Sequence, residues 1–281
     1  MSTARILLLG AIAGSTIFLG LPMGRMRKVG VRTKAFLNAT ATGILIFLLW
    51  DVLANATEPV ERAIKVAQAH QGSWGRVATL GGTAIIFVAI GLMSLVYYDR
   101  FAIKRQKKKS VGPGAASVEE FQKLVVDPAA NARRLALSIA VGIGLHNFSE
   151  GLAIGQSAAK GEITLALLLI IGFGAHNATE GFGIVGPLTG HDERPSWGFL
   201  ALCGLIGGGP TFLGTIVGRS FVNDTIFVAF LALAAGSILY VILELLHVGR
   251  SIGYRELAAW GLLLGLALGF ATDFILIAAG T

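Results

Sequence analysis

Apolar stretches of near membrane length, separated by short polar segments, dominate this chain. A helix that crosses a bilayer needs about 20 mostly apolar residues. Eight stretches qualify: 5–23, 35–54, 78–99, 135–158, 163–187, 198–218, 225–247 and 257–279. Their apolar residues run on without the two-residue alternation of a barrel strand, so helices are predicted and a β-barrel is not. The expected fold is all-α: a polytopic membrane protein of eight spans, forming one domain over 1–281. The first stretch begins like a signal peptide, with Arg5 ahead of an apolar run and small residues at Ala11 and Ala13. The run continues to Met23 and basic residues follow it. That is a stop-transfer pattern, so a retained span is expected.

Composition agrees with the pattern. Hydrophobic residues make up 54% of the chain and charged residues 14%, against about 25% charged in soluble domains. This excludes a soluble globular domain and a disordered chain. A single cysteine, Cys203, excludes a disulfide scaffold and reads as a small packing residue. The 38 glycines permit close helix packing.

The 23 basic residues set an orientation. With both termini outside, only Arg5, Arg62, Lys65, Arg76, Lys160 and Arg219 remain on the outer side. That bias follows the positive-inside rule. The net charge of +7 is thereby explained by topology and calls for no nucleic-acid partner. The long inner loop, 100–131, carries a basic run at 104–109, read as stop-transfer charge with anionic lipid as a weaker alternative. Its 112–117 stretch reads as a linker, and Ser117 is placed to cap a short helix up to Leu124. In the outer loop 55–77, Glu58, Glu61, Arg62 and Lys65 have the spacing of a solvated helix face. Trp50, Trp74, Trp197 and Trp260 lie near span ends and read as interfacial anchors. His70 and His191 read as loop residues, with His191-Asp192-Glu193 a transient metal contact at most.

Charged groups inside the spans point to function. Asp51, Glu150, Glu180, Glu244 and Asp273 lie in predicted spans, with His146, His176 and His247. A charge at the bilayer centre costs at least about 2.5–3.5 kcal/mol unless it meets a partner, water or a cation. Two segments of this set repeat. Residues 142–154 and 172–184 share the frame G-x-G-x-H-N-x-x-E-G-x-x-I. In a helix, His and Glu four residues apart share a face. Two such helices joined by a short turn are antiparallel neighbours. Facing each other, they offer two imidazoles and two carboxylates, a donor set suited to a first-row divalent cation. The bland alternative is a structural hydrogen bond within each pair. Two copies, each with Asn beside the His, favour the cation.

These residues resemble the signature of the ZIP (Zrt/Irt-like protein) family of divalent-metal transporters. The paired H-N-x-x-E-G in spans four and five carries the likeness, and the eight spans, outward termini and long third-to-fourth inner loop agree with it. The resemblance implies an inverted repeat of spans 1–3 and 6–8 around spans 4 and 5. It also implies a metal site of His146, Glu150, His176 and Glu180, with Asn147 and Asn177 at the place of a second site. At that second site Gly209, ahead of Pro210, stands where the family has a Glu, so no private carboxylate remains and one site is expected. Ser149 and Thr179 replace the family's prolines before each motif Glu, and back-bonding hydroxyls bend a helix only weakly. Glu244 and His247 match the seventh span, either as a relay to the inner side or as a helix-end pair. Asp273 is assigned to the outer entrance. Asp51 is read as making a salt bridge or polar contact across the bundle.

The sequence therefore leads to a transporter of a divalent transition metal, with Zn²⁺ foremost and Fe²⁺, Mn²⁺ and Cd²⁺ as alternatives. The metal moves into the cytoplasm by alternating access, with spans one, four, five and six sliding against two, three, seven and eight. No organic cofactor and no enzyme activity are expected. The partners are the metal substrate and the lipid bilayer, with a homodimer left open. The expected location is a prokaryotic inner membrane. The rivals are an intramembrane metal-dependent hydrolase, which lacks an H-E-x-x-H motif, and a non-transporting metal sensor.

Overall fold

The computed structural model describes residues 3–26, 30–110, 128–159, 177–178, 180–188, 194–219 and 223–278. Every regular element among them is helical. The α-helices are α1 (Thr3–Ser15), α2 (Val31–Gln68), α3 (Trp74–Ser110), α4 (Pro128–Ala159), α5 (Trp197–Gly218), α6 (Asp224–Ile252) and α7 (Arg255–Ala278). Residues 177–178 and 180–185 are also helical and run into a 3₁₀ turn, Gly186–Leu188. Among the described residues, seven stretches are long and apolar enough to cross a bilayer. This architecture is compatible with a polytopic membrane protein. The seven answer to predicted spans one to four and six to eight. Of the fifth, 163–187, residues through 176 and residue 179 lie outside the described set.

Several boundaries differ from the hydrophobic pattern, for a physical reason. The second helix continues through the predicted outer loop to Gln68. Along that extension Ala56, Pro59, Ala63 and Ala67 form a buried edge, and Ala63 packs with Leu80 and Val228. The opposite face is charged, and Glu58 and Arg62 pair at 2.8 Å, more than half exposed. A local apolar stripe thus extends the helix beyond membrane length. In the predicted inner loop α3 runs on to Ser110, and α4 starts at Pro128. The proposed Ser117 cap and the His191-Asp192-Glu193 cluster lie outside the described residues.

Helix starts follow capping chemistry. Ser196 Oγ accepts from the Phe199 amide at 3.1 Å to open α5. Asn223 Oδ1 accepts from the amides of Thr225 and Ile226 to open α6. The turn from α6 to α7 uses Gly253 at φ 88°, where an L side chain is strained. α1 ends differently: after Ser15 the chain tightens into 3₁₀ turns, Thr16–Leu19 and Leu21–Arg25.

Two groups of helices result. α4 packs most extensively on α5, and α1 lies against both. On the other side α2 packs on α7 and on α6, and α3 on α6. α4 also packs on α6, which joins the groups. The shared core holds Ile139, Ile143, Ile184, Leu231 and Ile238, with Cys203 buried among them. Large apolar side chains also cover the outside, with Ile85 at 74% exposure. Water would penalise such a surface, whereas a bilayer matches it. The four tryptophans are all among the exposed residues.

Candidate functional site

The first motif copy sits on α4. His146 and Glu150 lie one turn apart, with His146 Nε2 at 3.3 Å from Glu150 Oε1. Both are buried, as is Asn147 between them in sequence. Ser149 Oγ donates to the His146 carbonyl at 2.6 Å, the back-bonding expected of a hydroxyl at that position. The second copy is described from Asn177 onward without Thr179. Asn177 and Glu180 have no exposed surface. His176 lies outside the described residues.

One hydrogen bond ties the two copies together. Asn147 Nδ2 donates to Glu180 Oε2 at 3.0 Å. The same nitrogen donates to the Gly207 carbonyl of α5 at 3.0 Å. The asparagine therefore spends both amide protons on acceptors, one of them an acid that needs donors when buried.

The repeat in sequence is also a repeat of contacts. In the first copy Asn147 donates to Gly207 O, and a Cβ on Gly151 would stand 2.1 Å from Thr211 O, one turn further along α5. In the second copy Asn177 Nδ2 donates to Ala13 O at 3.0 Å, and a Cβ on Gly181 would stand 2.1 Å from Ile17 O, one turn further along the first span. Each H-N-x-x-E-G copy thus uses its Asn and its Gly to grip two successive turns of a neighbour. The glycine is required because any side chain there would collide with a backbone oxygen. This gives N-x-x-x-G a packing role beside whatever chemistry the His and Glu perform.

Three buried oxygens around this junction stand out. Asn147 Oδ1, Asn177 Oδ1 and Thr211 Oγ1 have no hydrogen-bond partner among the described residues, and all three side chains are fully buried. An unsatisfied buried acceptor costs about 1–3 kcal/mol. Thr211 was not singled out by its sequence. Its signal was weak: a hydroxyl in an apolar span, directly after the Gly207-Gly208-Gly209-Pro210 run.

The remaining candidates sit elsewhere. Glu244 on α6 is half-buried and His247 exposed, and neither makes a side-chain hydrogen bond or ion pair among the described residues. Asp273 on α7 is half-buried. Asp51 corrects its reading: its polar partner is Asn55 on its own helix, whose Nδ2 lies 3.0 Å from Asp51 Oδ1, rather than a group across the bundle. A local i, i+4 contact forms without any help from tertiary packing. Among the described residues, no group of three or more His, Cys, Asp or Glu side chains is placed to hold a metal ion.

No protein-family model matches the chain, and no curated protein matches it.

Proposed function

We propose that this chain is a ZIP-like transporter that moves a divalent transition-metal ion, zinc foremost, across a prokaryotic inner membrane into the cytoplasm. The substrate ion would be held by His146, Glu150, His176 and Glu180 between spans four and five. The observation that carries the reading is the Asn147–Glu180 hydrogen bond at 3.0 Å, which joins one buried residue of each motif copy. Three further features support it. His146 and Glu150 share a helix face. The described members of the set are buried, where carboxylates need a counter-charge. α1 changes from α to 3₁₀ beside the site, and broken helices are common at transport sites.

Each residue has a role in this reading. Glu150 and Glu180 neutralise the ion. His146 and His176 add imidazole nitrogens, whose protonation at low pH weakens binding. Asn147 holds Glu180 in place. Gly209 leaves the adjoining position without a carboxylate, so one dication per chain is expected. Glu244 and His247 would serve the inner exit, and Asp273 the outer entrance. Alternating access would move spans one, four, five and six against the others, with both termini outside and the inverted repeat relating the outer spans.

The test is influx of Zn²⁺, Fe²⁺, Mn²⁺ and Cd²⁺ into proteoliposomes, with His176→Ala/Glu180→Ala as control. Saturable uptake lost in the double variant is expected. Folded protein that binds metal without moving it would overturn transport and favour the sensor or the hydrolase.

A further inference from the structure

We propose that the seam between α2 and α7 binds the ammonium of a phospholipid headgroup, of the phosphatidylethanolamine class, through Asp51, Asp273 and the aromatic rings beside them. The inference does not rest on metal transport. It starts from Asp51, to which the carrier reading gives no role. The two helices run side by side in the same direction. Along α2 the contact steps through Phe36, Thr40, Gly43 and Phe47, and along α7 through Gly261, Gly265 and Gly269. A Cβ on Gly265 would stand 2.1 Å from Thr40 O, and one on Gly269 2.4 Å from the Phe47 ring. One turn beyond Phe47 is Asp51, and one turn beyond Gly269 is Asp273. That step stays on the same helix face. The next turn of each contact stripe therefore carries an acid.

Both acids are half-buried, and neither has an ion-pair partner among the described residues. The Asn55 amide, 3.0 Å from Asp51 Oδ1, brings no charge. Two carboxylates on facing stripes of apolar spans call for a cation. Rings gather at the same turn. Phe270 stands 5.0 Å from Phe47, 5.3 Å from Trp50 and 6.0 Å from Phe274 between ring centres. Trp50 is 51% and Phe274 62% exposed, so these rings lie on the outside of the bundle. Among the described residues α7 packs extensively on α2 alone, which leaves the seam open to lipid. Asp51 and Asp273 also lie near the same ends of the apolar stretches 35–54 and 257–279, close to where headgroups begin.

The chemistry selects the ligand. Aromatic faces attract an ammonium, and carboxylates accept its N–H bonds in charge-assisted form. An anionic headgroup would meet two carboxylates and be repelled. A phospholipid also brings acyl chains that cover the exposed rings, which a free ion or a soluble amine does not.

The test uses the full chain in detergent, with the lipid retained on it measured by native mass spectrometry. Phosphatidylethanolamine is titrated against phosphatidylglycerol of the same acyl chains. Lipid retention is the readout, because the carrier reading gives Asp273 to the outer entrance and uptake would not separate the two roles. Preferential retention of the ethanolamine lipid is expected. Asp51→Asn/Asp273→Asn keeps the shape and should weaken that retention about tenfold, the loss of a charge-assisted contact. Trp50→Leu should weaken it about threefold. Glu61→Gln, on the exposed face further along α2, should leave it unchanged. Equal retention of the two lipids by the unaltered chain would overturn the site. So would a preference that the double variant keeps, or that Glu61→Gln lowers as much. A lipid-free dimer that the double variant dissociates would also overturn it and make the seam an interface between copies of the chain.

Discussion

The two faces of α4 are packed in different ways. Toward α5 the backbones touch. A Cβ on Gly214 would stand 2.0 Å from Phe148 O, and one on Gly151 2.1 Å from Thr211 O. Toward α6 the nearest comparable position is Gly142, where a Cβ would meet Ser237 Cβ at an ordinary 3.4 Å. The rest of that face is a layer of side chains, Ile139 and Ile143 in a core shared with Leu231 and Ile238, and Phe148 beside Phe230 at 4.6 Å between rings. The α5 face also carries a polar bond, Asn147 to Gly207 O. Contacts that close are specific to one register, while layers of apolar side chains tolerate small displacements. The difference teaches where this molecule resists movement. Under the proposed alternating access, α4 and α5 travel together and the α6 face is the surface across which they slide.

The comparison can be broken experimentally. Gly214→Val should have the largest effect. It sets a branched side chain against a backbone oxygen that cannot yield, and should exceed the about 1–3 kcal/mol typical of core overpacking. Little folded protein should survive extraction and gel filtration. Recovery of well-folded variant would show that the α5 face is not closed at the backbone. Asn147→Leu comes next. It strips donors from Gly207 O and Glu180 together, a loss of about 1–3 kcal/mol for a buried acceptor, more for an ionised one. A lowered melting temperature in detergent is expected, and an unchanged one would mean that the junction does not depend on this side chain. Gly142→Ala should have the smallest effect, within about 0.5 kcal/mol as for a tolerated change. If it melts as poorly as the Asn147 variant, the two faces of α4 are alike.

Much of this was legible in the residues. The apolar runs located each of the seven stretches that, among the described residues, are long and apolar enough to cross a bilayer, because a crossing needs a minimum run of about 20 apolar residues. The charge spacing of Glu58, Glu61, Arg62 and Lys65 identified a helical face in a region assigned to a loop. Its full extent was hidden, because Ala63 is buried only once α3 and α6 supply Leu80 and Val228. The repeated H-N-x-x-E-G marked the candidate site, but two of its residues carried a meaning that spacing does not disclose. Nothing in the sequence says that Asn147 and Asn177 spend their amide nitrogens on carbonyls of α5 and α1. Asp51 shows the converse: its partner was four residues away, in the sequence all along.

The sequence by itself determined the elements: helical spans from apolar length, helix starts from Ser196 and Asn223, and a duplicated set of His, Asn and Glu. These are properties of single segments, set by hydrophobic burial, backbone hydrogen bonding and local side-chain geometry. Only the tertiary structure decided that Asn147 reaches Glu180, that Gly151 and Gly181 lie against carbonyls of two different helices, and that Thr211 joins the junction with its hydroxyl unpaired among the described residues. Each depends on the register between segments distant in the chain. That register is fixed by steric fit at a few tenths of an ångström, which no segment carries alone.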